Sequence, residues 1–169
     1  GTRALSTQGI AKPILNLFRM YAHLGRQEVA LASSGAQDPL NDPDLWGMQR
    51  PADLSGCATL RGDQGLEVLL YCHHDDWSRT GLHEITLELT GWPYPTRALT
   101  LRHYRIDGAH SNAYAEWLRQ GRPPYPAAGQ RAAIAARQGI ELLEPPRTIA
   151  LEDGRATVAL TMPVHAVSL

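Results

Sequence analysis

The chain has 169 residues, 43% of them hydrophobic and 20% charged, with a formal net charge of −1. That length and balance suit one folded domain with a real core and exclude a disordered polyelectrolyte. The near-neutral charge argues against a broad nucleic-acid or anionic-membrane surface, and no apolar run reaches the length of a bilayer span.

The first predicted element is a helix from about Lys12 to Leu24, with Pro13 in its first turn and Gly25 placed to end it. Ile14, Leu17, Phe18, Tyr21 and Leu24 recur at helical spacing and form an apolar stripe that must be buried on something. A short strand is expected over Glu28 to Ser33. A long Pro-containing loop follows from Ser34 to Asp53, with Leu45, Trp46 and Met48 expected to pin it to the body.

From Cys57 onward the chain reads as strands separated by turns. Cys57 to Arg61 is one, and the Gly62–Gly65 turn leads to Leu66 through His73, whose nearly continuous apolar character predicts a central strand. His83 to Thr90 alternates, with Ile85, Leu87 and Leu89 on one face. Gly91-Trp92-Pro93 is a turn, and Ala98 to Ile106 is a further strand. Ser111 or Asn112 caps a helix to Gln120, and Ala127 to Gln138 forms a second, so residues 111–138 make a helical insertion. Thr148 to Glu152 and Arg155 to Met162 flank Asp153-Gly154, a hairpin signal, and Val164 to Leu169 closes the chain. The expected fold is mainly β: an antiparallel β-sandwich with an N-terminal helix and a helical insertion.

Cys57 and Cys72 fall in predicted strands and read as buried free thiols, with a disulfide open to them if those strands pair. The four Trp and six Tyr against one Phe suit cores, wet interfaces and sugar surfaces alike.

The run Tyr104-Arg105-Ile106-Asp107, His110-Ser111-Asn112-Ala113-Tyr114, then Trp117, Gly121, Pro123, Pro126 and Gln130, resembles a segment late in family 39 glycoside hydrolases, which include β-xylosidases and α-L-iduronidases. Gly9 to Pro13 with Asn16, Phe18, Arg19 and Met20 is similar to the last helix of their catalytic barrel. Tyr71 with His73 or His74, Asp75 and Asp76 resembles a strand end of that family. The Glu152–Arg155 turn and the run Met162 to Leu169 also fit. The resemblance implies a retaining glycosidase with two Glu about 5 Å apart on barrel strands. No residue here matches either Glu, so no catalytic residue is carried over, and no cofactor or metal is implied. On this reading residues 1–26 are the terminal helix of an absent barrel and residues 27–169 a non-catalytic β-sandwich at its C-terminal side. Gly1 opens the chain in polar residues leading into a helix, as in a piece of a longer protein. The compartment, cytoplasmic or periplasmic, stays unassigned.

The expected partner is that catalytic barrel, with xylo-oligosaccharide substrate at a rim. An oligomer contact is left open, and nucleic acid and membrane are not expected. The residues expected at interdomain or rim contacts are Asp75, Asp76, Asp107, His110, Asn112 and Trp117. His73-His74-Asp75-Asp76 has the residue types of a metal cluster, but in a strand only alternate residues converge, and Asp75 and Asp76 read as turn caps. Glu84 with Glu88, and Glu141 with Glu144, read as solvated pairs lacking the pocket that a catalytic acid needs. Asp107, His110, Ser111 and Asn112 read as a capped strand-to-helix junction, the functional alternative being that this junction docks against the barrel and shapes one rim of its cleft. The rival function is a stand-alone carbohydrate-binding module gripping glycans through Trp77 and Trp92, with Trp46 and Trp117 the remaining aromatics of that kind.

Overall fold

The computed structural model describes residues 5–38, 40–41, 50–62 and 65–169. Leu45, Trp46 and Met48, expected to pin the long loop, lie outside the described residues, as does the centre of the Gly62–Gly65 turn. In chain order the elements are β1 (Ser6–Thr7), β2 (Ile10–Ala11), α1 (Pro13–His23), β3 (Gln27–Val29), β4 (Asp53–Arg61), β5 (Gly65–His73), β6 (Leu82–Leu89), β7 (Ala98–Leu101), β8 (Tyr104–Ile106), α2 (Ala113–Arg119), α3 (Ala128–Ala136), β9 (Glu141–Leu142), β10 (Arg147–Ala150), β11 (Ala156–Pro163) and β12 (Ala166–Ser168).

The fold is mainly β, as expected. A six-stranded antiparallel sheet has the order β3-β4-β5-β12-β8-β9, and β5 is interior to it. A second layer consists of two antiparallel ribbons, β6 with β11 and β7 with β10. Leu70 and Cys72 from β5 meet Met162 and Ala166 in one core cluster, with Ile85 and Leu160 packed on it. Trp92, Leu151 and Ala156 form a second cluster with Leu60, Leu66 and Leu89 around it. Burial alternates strictly along β6, which exposes Glu84 and Glu88 and turns Ile85, Leu87 and Leu89 inward, as the period-two pattern requires. Among the described residues no helix is long and apolar enough to cross a membrane.

Three expectations are corrected. Ala98 to Ile106 is two strands in different layers: β7 pairs with β10, then the chain crosses at Arg102-His103 and β8 joins β12 in the larger sheet. Asp153-Gly154 does make a tight turn, with φ of 50° and 71° and reciprocal Glu152–Arg155 backbone bonds of 2.9 Å. The strands leaving it are not a hairpin, because β10 pairs with β7 while β11 pairs with β6. Trp92 is core instead of exposed loop: its backbone N–H donates to Gly154 O at 3.0 Å, which draws the β6–β7 connection across that turn, and the indole lies inward at 8% exposure.

The stripe on α1 also behaves differently from its periodicity. The buried positions are Asn16 and Met20, both at 0% exposure, while Ile14, Phe18 and Tyr21 stand 44%, 53% and 51% exposed. The helix lies on β5 and β8 by its Asn16–Met20 face and leaves its apolar stripe open.

β4 and β5 do pair, yet the register sets Cys57 opposite Leu69 and Cys72 opposite Leu54. Both thiols are free, and burial raises their pKa values.

Gly25 ends the α1 segment for a steric reason. A Cβ there would lie 1.8 Å from Leu60 O, and its N–H donates to Thr59 Oγ1 at 2.8 Å, so the backbone presses directly on β4. Gly25→Ala is expected to destabilise the fold by about 2–3 kcal/mol, read as a lower urea midpoint at unchanged slope.

Candidate functional site

β5 and β8 flank β12, each antiparallel to it, and therefore run in the same direction. Tyr71, Val167 and Ile106 stand in one row across the three strands, so the ends of β5 and β8 emerge together. Two strand spacings separate them, about 10 Å. The sequence-selected residues Asp75 and Asp76 follow the end of β5, and Asp107, His110 and Asn112 follow the end of β8. One end of the sheet therefore carries both groups, and Trp117 lies farther along the insertion on α2.

The β8–α2 junction is closely bonded. Asp107 Oδ1 accepts from the backbone N–H groups of Ala109 and His110 at 2.7 and 2.8 Å. Because a carboxylate only accepts, His110 Nδ1–H is the donor in the 2.9 and 3.1 Å contacts to the two Asp107 oxygens. Burial alone would raise the Asp107 carboxyl, but these bonds to Ala109 and His110 outweigh it and hold the pKa below the ordinary value. Asn112 caps α2, its Oδ1 accepting from Ala115 N–H at 3.0 Å while its Nδ2 donates to Asp107 O at 2.8 Å. Trp117 is half-buried and donates its indole N–H to Pro123 O at 3.0 Å, which folds the Pro-rich segment back on α2.

Ser111 is fully buried with φ of 51°. Its hydroxyl donates to Arg105 O at 2.6 Å and accepts from Glu141 N–H at 2.8 Å, so both its roles are structural. Asn16 of α1 donates to Ser111 O and Gly139 O at 2.7 and 3.1 Å, and Arg19 donates to Asn16 Oδ1 at 2.7 Å and to Gln138 O at 3.0 Å. The first helix is thereby clamped to the insertion.

The second group, at the end of β5, divides by strand alternation. His74 is buried, with Nδ1 accepting from Asp76 N–H at 2.9 Å and Nε2 at 2.9 Å from Arg50 O. Its ring is spent on backbone. Asp76 caps the following turn, accepting from Ser78 N–H and Oγ at 2.9 and 2.6 Å. Those bonds, the hydroxyl foremost, lower its pKa. Asp75 stays half exposed, 2.9 Å from Arg50 Nη2 and 3.4 Å from His73 Nε2. Among the described residues no three His, Cys, Asp or Glu side chains converge as metal ligands would.

The other acidic candidates are separately engaged. Glu141 pairs with Arg137 at 3.0 Å, and Glu144 contacts Arg147 at 3.5 Å. A concavity of about 960 Å³ between the layers is walled by Leu66, Val68, Leu87, Leu99 and Leu160 among others, with Glu67 the one acidic side chain among the described residues that line it.

Sequence reasoning missed the buried polar centre beside this hollow. Arg105, at 3% exposure, donates Nε–H to Ser168 Oγ at 2.7 Å and Nη2–H to Thr161 O at 2.6 Å. Ser168 Oγ, already accepting from Arg105, then donates to His103 Nε2 at 3.0 Å. Burial and the neighbouring Arg105 charge push His103 down to about 4. Nothing within the tetrapeptide Tyr104–Asp107 reveals this, since which neighbours bury Arg105 depends on non-local pairing.

No protein-family profile matches the chain, and no curated protein matches it in sequence. Solved structures do match in fold. A bacterial orthologue of human α-L-iduronidase superposes with a TM-score of 0.74 at 24% identity, over 94% of this chain and 26% of that one. A family 39 glycoside hydrolase from Xanthomonas axonopodis pv. citri gives 0.68 at 12% identity, over 95% of this chain and 30% of that one. A family 39 β-xylosidase from Caulobacter crescentus gives 0.59 at 19% identity, over 95% and 27%.

Two outcomes are expected at this site. The folded chain keeps His103 neutral down to about 4 while the unfolded chain protonates near 6.5, so the unfolded state binds more protons between those values. Stability is therefore expected to fall as pH drops through that window, by about 2–3 kcal/mol from this group, and His103→Gln should flatten the slope in urea denaturation at several pH values. Asn112→Ala is expected to cost about 1 kcal/mol through the lost cap, with a local rise in amide exchange at Ala115.

At these identities it is the fold that is shared: the chain has the helix-bearing β-sandwich architecture contained within solved family 39 glycoside hydrolases and spans about a quarter to a third of their length.

Proposed function

We propose that the chain is the non-catalytic β-sandwich portion of a larger retaining glycoside hydrolase that removes terminal β-xylosides, and that its role is to brace a catalytic barrel. The observation carrying this reading is α1. Its Asn16–Met20 face is bonded to this body, while Ile14, Phe18 and Tyr21 remain exposed on the other. A contiguous exposed apolar patch on a folded domain marks an interface. A helix belonging at once to the barrel and to the sandwich would bury both faces.

The shared sheet end supports a rim role. Asp75 and Asp107 leave the same end of the sheet, from strands either side of β12, and the insertion that Asp107 and Asn112 anchor carries the exposed Tyr114. In the parent enzyme the acid/base and nucleophile Glu residues belong to the barrel, and this portion supplies support and one wall of the cleft. The xyloside preference rests on the resemblance to β-xylosidases and on a fold shared with one of them.

The chain alone is expected to show no turnover of an aryl β-xyloside. Turnover abolished by one Glu substitution within it would overturn the proposal. Phe18→Glu with Tyr21→Glu is expected to leave the circular dichroism spectrum and the melting temperature nearly unchanged while abolishing association with a co-expressed barrel portion. Retained association would remove the role assigned to α1.

A further inference from the structure

We propose that the exposed indole of Trp77 is the platform of a carbohydrate-binding site, stacking one pyranose ring of a neutral oligosaccharide. The site lies in the turn after β5, and the inference stands independently of the activity assigned to any larger enzyme.

Trp77 is 79% exposed, yet it is held like a buried ring. His165 stacks against it with centroids 5.0 Å apart and planes 21° from parallel. His73 packs edge-on to both, at 6.0 Å from Trp77 and 5.9 Å from His165. The backing imidazole is fixed in turn, since His165 Nε2 bonds Asp76 O at 3.1 Å. The turn that carries Trp77 is tied by Arg79 N–H to Asp76 O at 3.0 Å and by the Asp76 carboxylate cap on Ser78.

This arrangement carries a free-energy cost that packing alone does not explain. His165 occupies the left-handed region at φ 64°, which disfavours a residue with a Cβ. Its Nδ1 is buried with no hydrogen-bond partner among the described residues. Both penalties place an imidazole under the indole, leaving the opposite face of Trp77 to solvent. A flat aromatic face fixed in advance loses little entropy when a ligand ring settles on it.

The surroundings select the ligand. A protein partner would favour more apolar surface, but His73 packs on the indole with Asp75 3.4 Å from its Nε2, and the hydroxylic Ser78 follows Trp77 in the chain. Asp75 is half exposed and held by Arg50 at 2.9 Å, so its carboxylate is fixed in place and its charge compensated. A pyranose matches this set, with C–H bonds on one face for the indole and hydroxyls at its edge for a carboxylate and an imidazole. Arg50 answers the charge of Asp75, which leaves that carboxylate as an acceptor for hydroxyls. Trp92 cannot share the role, since it is buried in the core.

The test is calorimetric titration of the chain with xylotetraose and with cellotetraose, alongside the shift of the Trp77 indole N–H resonance. Saturable binding is expected with at least one of the two. Trp77→Ala should weaken it roughly tenfold, with Trp77→Phe in between. Asp75→Asn should weaken it by a smaller factor, and Tyr125→Ala, at an exposed position remote in sequence, should leave it unchanged. Trp77 is a surface residue, so the variants are expected to melt with the parent chain. Silence with both sugars, or binding indifferent to Trp77→Ala, would overturn the proposal. So would silence combined with loss of association to a barrel portion in Trp77→Ala, which would make this surface a protein contact.

Discussion

The arrangement depends on one buried cation. Arg105 sits on β8, bonds its register neighbour Ser168 on β12 and reaches across the interior to the Thr161 carbonyl on β11, so a single planar fork joins the six-stranded sheet to the second layer. A guanidinium taken out of water costs several kcal/mol unless its donors are answered. Here Nε and Nη2 are bonded, and Nη1 lies 3.7 Å from Asp107 Oδ2. Burial lowers the Arg105 pKa and Asp107 opposes that shift. The charge therefore ties Asp107, and with it the junction that leads into the insertion, to the middle of the sandwich.

Order spreads outward from that point by a short relay. Arg105 O accepts from Ser111 Oγ, Ser111 O accepts from Asn16 Nδ2, and Asn16 Oδ1 accepts from Arg19. Four residues thus connect the interior of the sandwich to the helix that precedes it in the chain. The first two of these contacts are buried, where each is strong if complete and costly if broken. The two ribbons of the second layer, in contrast, are held chiefly by apolar clusters around Met162 and Trp92.

Local pattern made part of this legible. The alternation of β6, the apolar run of β5, the capped α2 and the Asp153-Gly154 turn all depend on neighbours within a few residues, and all appear where sequence chemistry puts them. The errors are non-local. Nothing between Ala98 and Ile106 announces that the chain changes layer at Arg102-His103, and nothing about Asp153-Gly154 reveals that its two strands pair elsewhere. Gly91-Trp92-Pro93 has the chemistry of an exposed turn, and only its bond to Gly154 makes Trp92 core. On α1 the apolar period was real, but it marks the open face, because hydrogen bonding to distant carbonyls selected Asn16 for burial. At the candidate site, residue types pointed to Asp75, Asp107 and Asn112, while the ring of histidines around Trp77 awaited the β11–β12 turn that brings His165 beside it.

Asn16 gives α1 a fixed rotational setting. Two carbonyls on separate segments, Ser111 and Gly139, hold one amide, so the helix cannot spin about its axis without losing both bonds. One residue along a helix is a turn of about 100°. Whatever rests on Phe18 is thereby indexed in angle to the segment bearing Tyr114 and Trp117, much as a keyed shaft sets a gear. A single-residue insertion between Asn16 and Phe18 would misalign that neighbour by a large angle even where both bodies fold perfectly well.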